Sequence, residues 1–565
     1  MDKKMPQNNI EHVSADPITV ELIRNALIAA TEEMKTVLMR TAYNMIIYEA
    51  LDFTVGLFDA EGNTISIGLG LPMFMRGMSD TVKAQIAHFG LDDIYNGDII
   101  LTNDAYVTGS HLNHPTFTMP IFEGEKIVAF ATCMAHWIDI GGTLNGLTTD
   151  IYSEGLQIPM VKYYKKGKIN QDILNFIKMN VRRPDRAIGD LEAQLSSIRA
   201  GAKHVRTLIS RYGVLTFLEA IERIKNQSEA RARAFVLSIP DGIYEAEAEM
   251  DDDGIDLDKP ILIKVSVEVR GDEITVDLSG ISKQVKGPFN SGAGEACAQV
   301  AFKCLALSQD FPINDGGYRP LKVIIPSGTI VSATKPAAMK MWMCYPMTII
   351  DTIFKALAGV IPDHVIAGHH ADLMTCNVNG IHPVENNQFL YMGGLIGGGW
   401  GAKHDSDGMS GTIAINDGDT HNGPTEQVEN KYPVLVERYA LRQDSGGAGR
   451  YRGGLGTEQI VIAKVALNGI TRADHVRNPP TGLLSGLPGL GNQIAIRRSN
   501  GEEIIFPNGK VVMSLKPGDA YILRSGGGGG FGDPGERSVN LIEEDLRQGY
   551  ISPEAAQRYY NFDEK

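Results

Sequence analysis

Glycine constrains this chain more than any other residue type. There are 62 glycines in 565 residues, against a usual share of ~7%, and they come in runs. "GGLIGGGWG" occupies 393–401, "SGGAGRYRGGLG" 445–456 and "SGGGGGFGDPG" 525–535. None of these runs has the strict period of collagen or of a solenoid. They imply either backbone with positive φ or chains that approach each other closely. "GGLIGGGWG" contains a loose dinucleotide-type pattern, but no βαβ unit surrounds it. No G-x-x-x-x-G-K-[ST] signature occurs, since "NGK" and "KGK" lack the following Ser or Thr. Packed glycine turns in a strand-rich region are the favoured reading.

The rest of the chain alternates between helical and strand patterns. Asp16-Pro17 reads as an N-cap followed by the first helical residue. Val20, Ile23, Leu27, Ala30, Met34 and Leu38 then recur at helical spacing to about Tyr43. "DFTVGLFDAEGNTIS" predicts a hairpin in which Phe53, Val55 and Leu57 alternate. A helix follows near 72–90, then strand-like runs over 98–142 broken by "EGEK". Residues 173–235 are the most helical, and beyond 236 the alternating runs describe a half-exposed antiparallel sheet. Helical patterns return at 292–307 and 345–361, and the tail reads helix, turn, helix with Ser552-Pro553 as second cap. The expected class is α+β: a large, mainly antiparallel sheet protein with helices, a Gly-rich C-terminal part, and no Rossmann or P-loop domain. A chain of this length exceeds what one core usually serves. The expected division is an N-terminal α+β region (1–235), a mixed middle region (236–384), a Gly- and strand-rich region (385–535) and a helical tail (536–565).

Net charge of -15 leaves no basic excess to displace counterions, which argues against nucleic acid and anionic membranes as partners. No run approaches the roughly 18 apolar residues of a membrane span, and the N-terminus has no apolar signal region. The cysteines Cys133, Cys297, Cys304, Cys344 and Cys376 form no C-x-x-C pair, which favours a reducing compartment. A cytoplasmic protein is the expectation.

Chemistry concentrates between residues 50 and 140. The chain has 13 histidines, and "NDAYVTGSHLNHP" sets His111 and His114 three residues apart, with His136 following in "CMAHWIDIGG". Asp52 and Asp104 occupy similar strand-to-loop positions. Imidazoles with a carboxylate suit Mn²⁺, Zn²⁺ or Fe²⁺. An H-x-x-H pair in a loop is not specific by itself, and satisfied core histidines are the competing reading. No G-x-S-x-G elbow appears. Cys133 stands three residues before His136, a strand spacing that points the two to opposite faces. Arg450 and Arg452, in "GGAGRYRGGLG", fit either forked contacts to an anion or a solvated turn.

In these stretches the sequence resembles the hydantoinase B/oxoprolinase family. The resemblance is carried in order by "DPITVELIRNAL", "LDFTVGLFDAEGN", "NDAYVTGSHLNHP", "AHWIDIGG", "NDGGYRPLKVIIPSGTIV", "NGPTEQVENKYPVLVERYALRQDSGGAGRYRGGLG" and "SGGGGGFGDPGERSVNLIEEDLRQGYISPEAA". It implies an A-type ATPase partner that uses ATP to phosphorylate the substrate, in a hetero-oligomer of α2β2 or larger composition. It also implies one divalent metal (Zn, Mn or Fe) on Asp52, His111, the residue at 114 and His136, with Asp52, His111 and His136 serving catalysis. Here "HLPD" or "HLND" becomes "HLNH", so His114 replaces a carboxylate, and Asp104 is an alternative source for it. The implied activity is ATP-dependent hydrolysis of a cyclic amide such as a hydantoin, lactam or oxoproline. The alternatives are ATP-dependent carboxylation of a ketone, or a scaffold protein with a decayed site.

Overall fold

The computed structural model describes residues 15–74, 77–144, 146–292, 294–306, 312–393, 396–418 and 420–563. Residues 1–14, on which the expected absence of a signal region rests, lie outside the described residues, as do 394 and 395 of the first glycine run.

Helix Pro17–Thr41 begins as its cap signal requires, with Asp16 accepting from the Ile18 and Thr19 amides. Its buried positions are Val20, Ile23, Leu27, Ala30, Thr31, Met34 and Leu38, the stripe the spacing predicts. That stripe packs with the helices Pro184–Tyr212 and Val214–Val236 on a seven-stranded sheet. The strands of the sheet are β1 (Phe53–Asp59), β2 (Thr64–Leu69), β3 (Ile99–Thr102), β4 (Thr116–Glu123), β5 (Lys126–Ala135), β6 (Val161–Lys165) and β7 (Lys168–Ile169). They lie in the order β2-β1-β5-β4-β3-β6-β7. All seven residues of β1 are buried, because both faces of the sheet are covered. Phe53, Val55 and Leu57 face the helices, whereas Phe58, Phe130 and Met134 enter a second core.

That second core continues through helices Gly294–Ala306 and Cys344–Leu357. It also takes in the sheet of β8 (Gly242–Met250), β9 (Ile261–Arg270), β10 (Glu273–Asp277) and β11 (Leu321–Ile324). Two further sheets follow, one centred on Thr375–Ile381 and Leu467–Arg472, the other on Thr457–Ala463 and Ala520–Arg524. Apart from the parallel β10–β11 pair, the ladders among the described strands are antiparallel. The fold is mixed α+β, as the sequence implies.

The glycine runs serve close approach. A Cβ at Gly528 would sit 1.9 Å from the Trp400 carbonyl oxygen, and one at Gly453 1.9 Å from that of Gly528. Neither glycine has a positive φ. The segments instead bond each other directly: Gly528 N–H donates to Gly454 O, Gly399 N–H to Gly526 O and Gly529 N–H to Gly368 O, at 2.7–2.9 Å. Chains bonded at this spacing leave no room for side chains, and that fixes the residue type.

Arg450 and Arg452 part company at this bundle. Arg452 is buried and forks onto Asp545 of the tail helix Val539–Arg547, with Nε and Nη2 each 3.2 Å from a carboxylate oxygen. Arg450 stays in solvent, 3.9 Å from Glu536. The anion reading holds for Arg452 and the solvated turn for Arg450.

Candidate functional site

The site forms where the ends of β1 and β5 meet. Phe53 pairs with Ala135, so the residue before β1 and the residue after β5 become cross-strand neighbours. The His136 amide donates to the Asp52 carbonyl at 3.0 Å. Antiparallel pairing thus joins two positions that lie far apart in sequence. His111 and His114 arrive on the loop after the short helix Ala105–Thr108, which Gly109 closes in the left-handed region at φ 76°. Asn113 clamps that loop to the strand end: its carbonyl accepts from Trp137 N–H and its side-chain amide donates to Trp137 O, both at 2.8 Å. Asn44 adds a bond from its amide to the His136 carbonyl at 3.0 Å.

The three imidazoles cluster tightly. Ring centroids are 4.5 Å apart for His111–His114, 4.9 Å for His111–His136 and 5.1 Å for His114–His136. His114 Nε2 lies 2.8 Å from Asp52 Oδ1. All four predicted side chains are buried, and the structure brings them together.

Hydrogen bonding decides what each ring can offer. A carboxylate only accepts, so His114 donates from Nε2 to Asp52, and its Nδ1 accepts from the Ser110 hydroxyl at 2.6 Å. Both His114 nitrogens are thereby used. His111 Nδ1 donates to the Lys340 carbonyl at 3.1 Å, which leaves the lone pair on Nε2. His111 Nε2 is buried without a partner, and so is His136 Nδ1. Orphaned ring nitrogens of this kind call for an explanation.

Burial keeps two of the imidazoles neutral. Burial, helped by His114, His136 and Arg472, holds His111 well below the ordinary histidine range. Burial pushes His136 down to about 3 against the pull of Asp52. Burial works to raise Asp52, but its charge and hydrogen bond with His114 outweigh that and lower it. At neutral pH His111 and His136 therefore present neutral nitrogens beside the ionised Asp52 carboxylate, the protonation states a metal requires.

Two cavities flank the cluster. A small one of about 10 Å³ is lined by Asp52, His111, His136, Asp417 and Arg472 among others, which is near the room one water takes. A larger one of about 100 Å³ shares His111, His136 and Arg472 and adds Asn113, Asn377 and Lys340. Among the described residues no three His, Cys, Asp or Glu side chains are gathered as a ready cation cage, and Asp52 and His114 bond each other. The donor set nonetheless fits a divalent ion, with two orphaned imidazole nitrogens and a carboxylate at one small cavity.

Asp104, the alternative carboxylate, is placed outside the cluster. Its Oδ1 caps the helix Ala105–Thr108 by accepting from Tyr106 N–H at 3.1 Å, and it lines neither cavity. Asp417, Arg472 and Lys340 were not legible as site residues. Arg472 ends strand Leu467–Arg472, buried, with Nε on Thr375 Oγ1 at 2.8 Å. Asp417, in "AINDGDTH", has the composition of any loop.

Residues 16–534 match the hydantoinase B/oxoprolinase family. The beta chain of the caprolactamase of Pseudomonas jessenii is 32% identical, with 97% of this chain and 96% of that one aligned. The B component of a putative D-/L-hydantoinase of a Pseudomonas species is 31% identical over 96% of this chain and 94% of its own length. The crystal structure of the ATP-dependent caprolactamase from Pseudomonas jessenii superposes with a TM-score of 0.91 at 30% identity, covering 98% of this chain and 97% of that chain. With a match spanning most of its length and relatives aligned nearly end to end, the chain belongs to the hydantoinase B/oxoprolinase family.

Proposed function

We propose that this chain is the B-type component of an ATP-dependent cyclic-amide hydrolase, acting on a hydantoin, lactam or oxoproline-like ring activated by an A-type partner. The observation that carries the reading is the convergence of Asp52, His111 and His136 on one small cavity, with His111 Nε2 and His136 Nδ1 buried and unpartnered. The relatives support the substrate class, since they are named as components of a hydantoinase and a caprolactamase. Those names also support a heteromeric assembly. ATP belongs on the partner in this reading, because the sequence has no phosphate-cradling loop of the P-loop type.

Asp52, His111 and His136 would hold the divalent ion, with His114 orienting the Asp52 carboxylate from behind. Bound there, such an ion supplies Lewis-acid polarisation of an oxygen. The Lys340 carbonyl fixes the tautomer of His111, and the Asn113 clamp holds His136 at the strand end. Arg472 and Lys340 line the larger cavity, where cationic side chains suit a substrate that carries a phosphoryl group. The Asn113 and Asn377 side chains on the same wall supply the donors and acceptors a ring amide needs.

The test uses the chain together with its A-type partner. Amide hydrolysis is expected to require ATP and a divalent metal, and to proceed without bicarbonate. His111→Ala or His136→Ala is expected to drop metal content and turnover to background while the melting profile stays cooperative. Full metal content in both variants removes the site assignment. Turnover that requires bicarbonate replaces hydrolysis with carboxylation.

A further inference from the structure

We infer that Asp417 is a further ligand of the divalent-metal site, delivered to the N-terminal sheet from the turn at 414–417. This deepens the function proposed above and rests on its metal reading. Asp417 is completely buried, and neither of its carboxylate oxygens has a hydrogen-bond partner. A carboxylate in that state is one of the costliest groups a fold can enclose, and such groups are normally paired or ligate metals.

The surroundings narrow the choice of partner. Asp417 lines the same small cavity as Asp52, His111 and His136. Arg472 also lines it, but directs Nε to Thr375 Oγ1 at 2.8 Å and Nη2 to the Met392 sulfur at 3.3 Å, and Asp417 remains unpartnered. Asp372, another buried carboxyl of this region, is already satisfied: it accepts from Met374 N–H at 3.1 Å, Asn492 Nδ2 at 3.0 Å and the Asp474 amide. Asp52 and Asp417 are the two carboxylates on the cavity wall. His114, with both nitrogens spent on Ser110 and Asp52, has no lone pair left for a metal. Two imidazoles and Asp52 make a three-donor set, and Asp417 extends it to an N₂O₂ set of the kind borderline divalent ions accept.

The placement is built rather than incidental. Asp417 N–H donates to the Ala414 carbonyl at 2.9 Å, and Met73 N–H donates to the Asn416 carbonyl at 3.1 Å. Gly418, at φ +61°, sits so close to Pro72 that a Cβ would meet its ring at 2.7 Å. The turn is thus seated on the loop that follows β2. Because the fourth donor comes from a different part of the chain, metal binding would tie the Gly-rich region to the sheet end.

The test compares metal binding by the full-length chain and its variants after chelator treatment. Competition against a chromophoric chelator gives the affinity for Zn²⁺ or Mn²⁺. Asp417→Asn keeps the shape but removes the charge, and is expected to weaken affinity by roughly tenfold or more with the metal-free melting temperature not lowered. Asp417→Cys, loaded with Co²⁺, is expected to show a near-ultraviolet thiolate-to-metal absorption that the Co²⁺-loaded wild type lacks. Affinity within twofold of wild type in Asp417→Asn, or no new absorption in Asp417→Cys, overturns the inference while leaving the His111 and His136 site standing. Should the wild-type chain bind no divalent metal, the proposed function fails first and this inference falls with it.

Discussion

Two buried clusters of charge lie near each other in this molecule and differ in one respect. Around Lys510 the charged groups have partners. Lys510 Nζ pairs with Asp474, and Asp251 accepts from the amides of Val476 at 2.7 Å and Arg477 at 3.1 Å. Asp253 accepts from Ile255, Asp256 and Gly287 amides at 2.7–2.9 Å. Around Asp52, by contrast, His111 Nε2, His136 Nδ1 and both Asp417 oxygens have none. Both clusters are out of water, so solvation does not distinguish them. The first closes on itself and staples residues 251–256 to 474–478 and 510. The second stays open, and an open buried cluster holds its cost in readiness for something the chain itself does not supply.

Breaking the closed cluster therefore carries the larger stability effect. Lys510 and Asp474 side chains are 1% and 0% exposed, and Asp474 with Asp252 holds the Lys510 ammonium charged against burial. Lys510→Met leaves Asp474 buried and unpaired, which is expected to cost about 3–5 kcal/mol. Chemical denaturation checks the size, and metal stoichiometry per folded chain should not change. A loss of metal without a loss of stability would erase the distinction between the two clusters.

A smaller effect separates the site from its support. Asp190 accepts from Tyr43 N–H at 2.7 Å and Asn44 N–H at 3.2 Å, and Asn44 in turn holds the His136 carbonyl. Burial pushes the Asp190 carboxyl up to about 6, despite those two amide bonds. The native state then holds more protons than the unfolded chain between about pH 4 and 6. Stability from this group is present at the acid end, falls as pH rises through that window, and is gone above it. Asp190→Asn is expected to flatten the slope between pH 4 and 6 and to stabilise the fold by up to about 3 kcal/mol at neutral pH. An unchanged slope in pH-dependent melts would show that Asp190 is not the group responsible.

The difference between the clusters also marks what the sequence could reveal. His111, His114 and His136 were legible because histidine is scarce and the residues flank strand patterns, and Asp52 because a hairpin starts there. Their convergence follows from β1–β5 register, which alternation alone does not specify. The bond from His114 to Asp52 could not be read, since that depends on which nitrogen meets Ser110. Asp417 could not be read either: nothing in "INDGDT" separates an orphaned carboxylate from a turn. The helices announced themselves by period and cap, as at Asp16 and Ser552. The glycine runs showed that the chain must do something unusual there, without showing that separate segments would bond one another.

The smallest effect tests whether burial with a satisfied partner, rather than sequence neighbourhood, sets the cost of losing a charge. Arg450 and Arg452 stand two residues apart in one glycine-rich turn. Arg452 is buried and forks onto Asp545, which also receives Arg537 Nη2 at 2.6 Å. Arg450 has a side chain 55% exposed and an ion pair with Glu536 at 3.9 Å. An exposed pair of that length gains little in high dielectric and spends side-chain entropy to form. Arg450→Ala is expected to change stability by no more than about 0.5 kcal/mol, with metal content and turnover unchanged. Arg452→Ala leaves Asp545 with Arg537 alone and is expected to be plainly destabilising in the same denaturation series. Equal effects from the two would mean that the turn, and not the buried fork, fastens the tail helix to the glycine bundle.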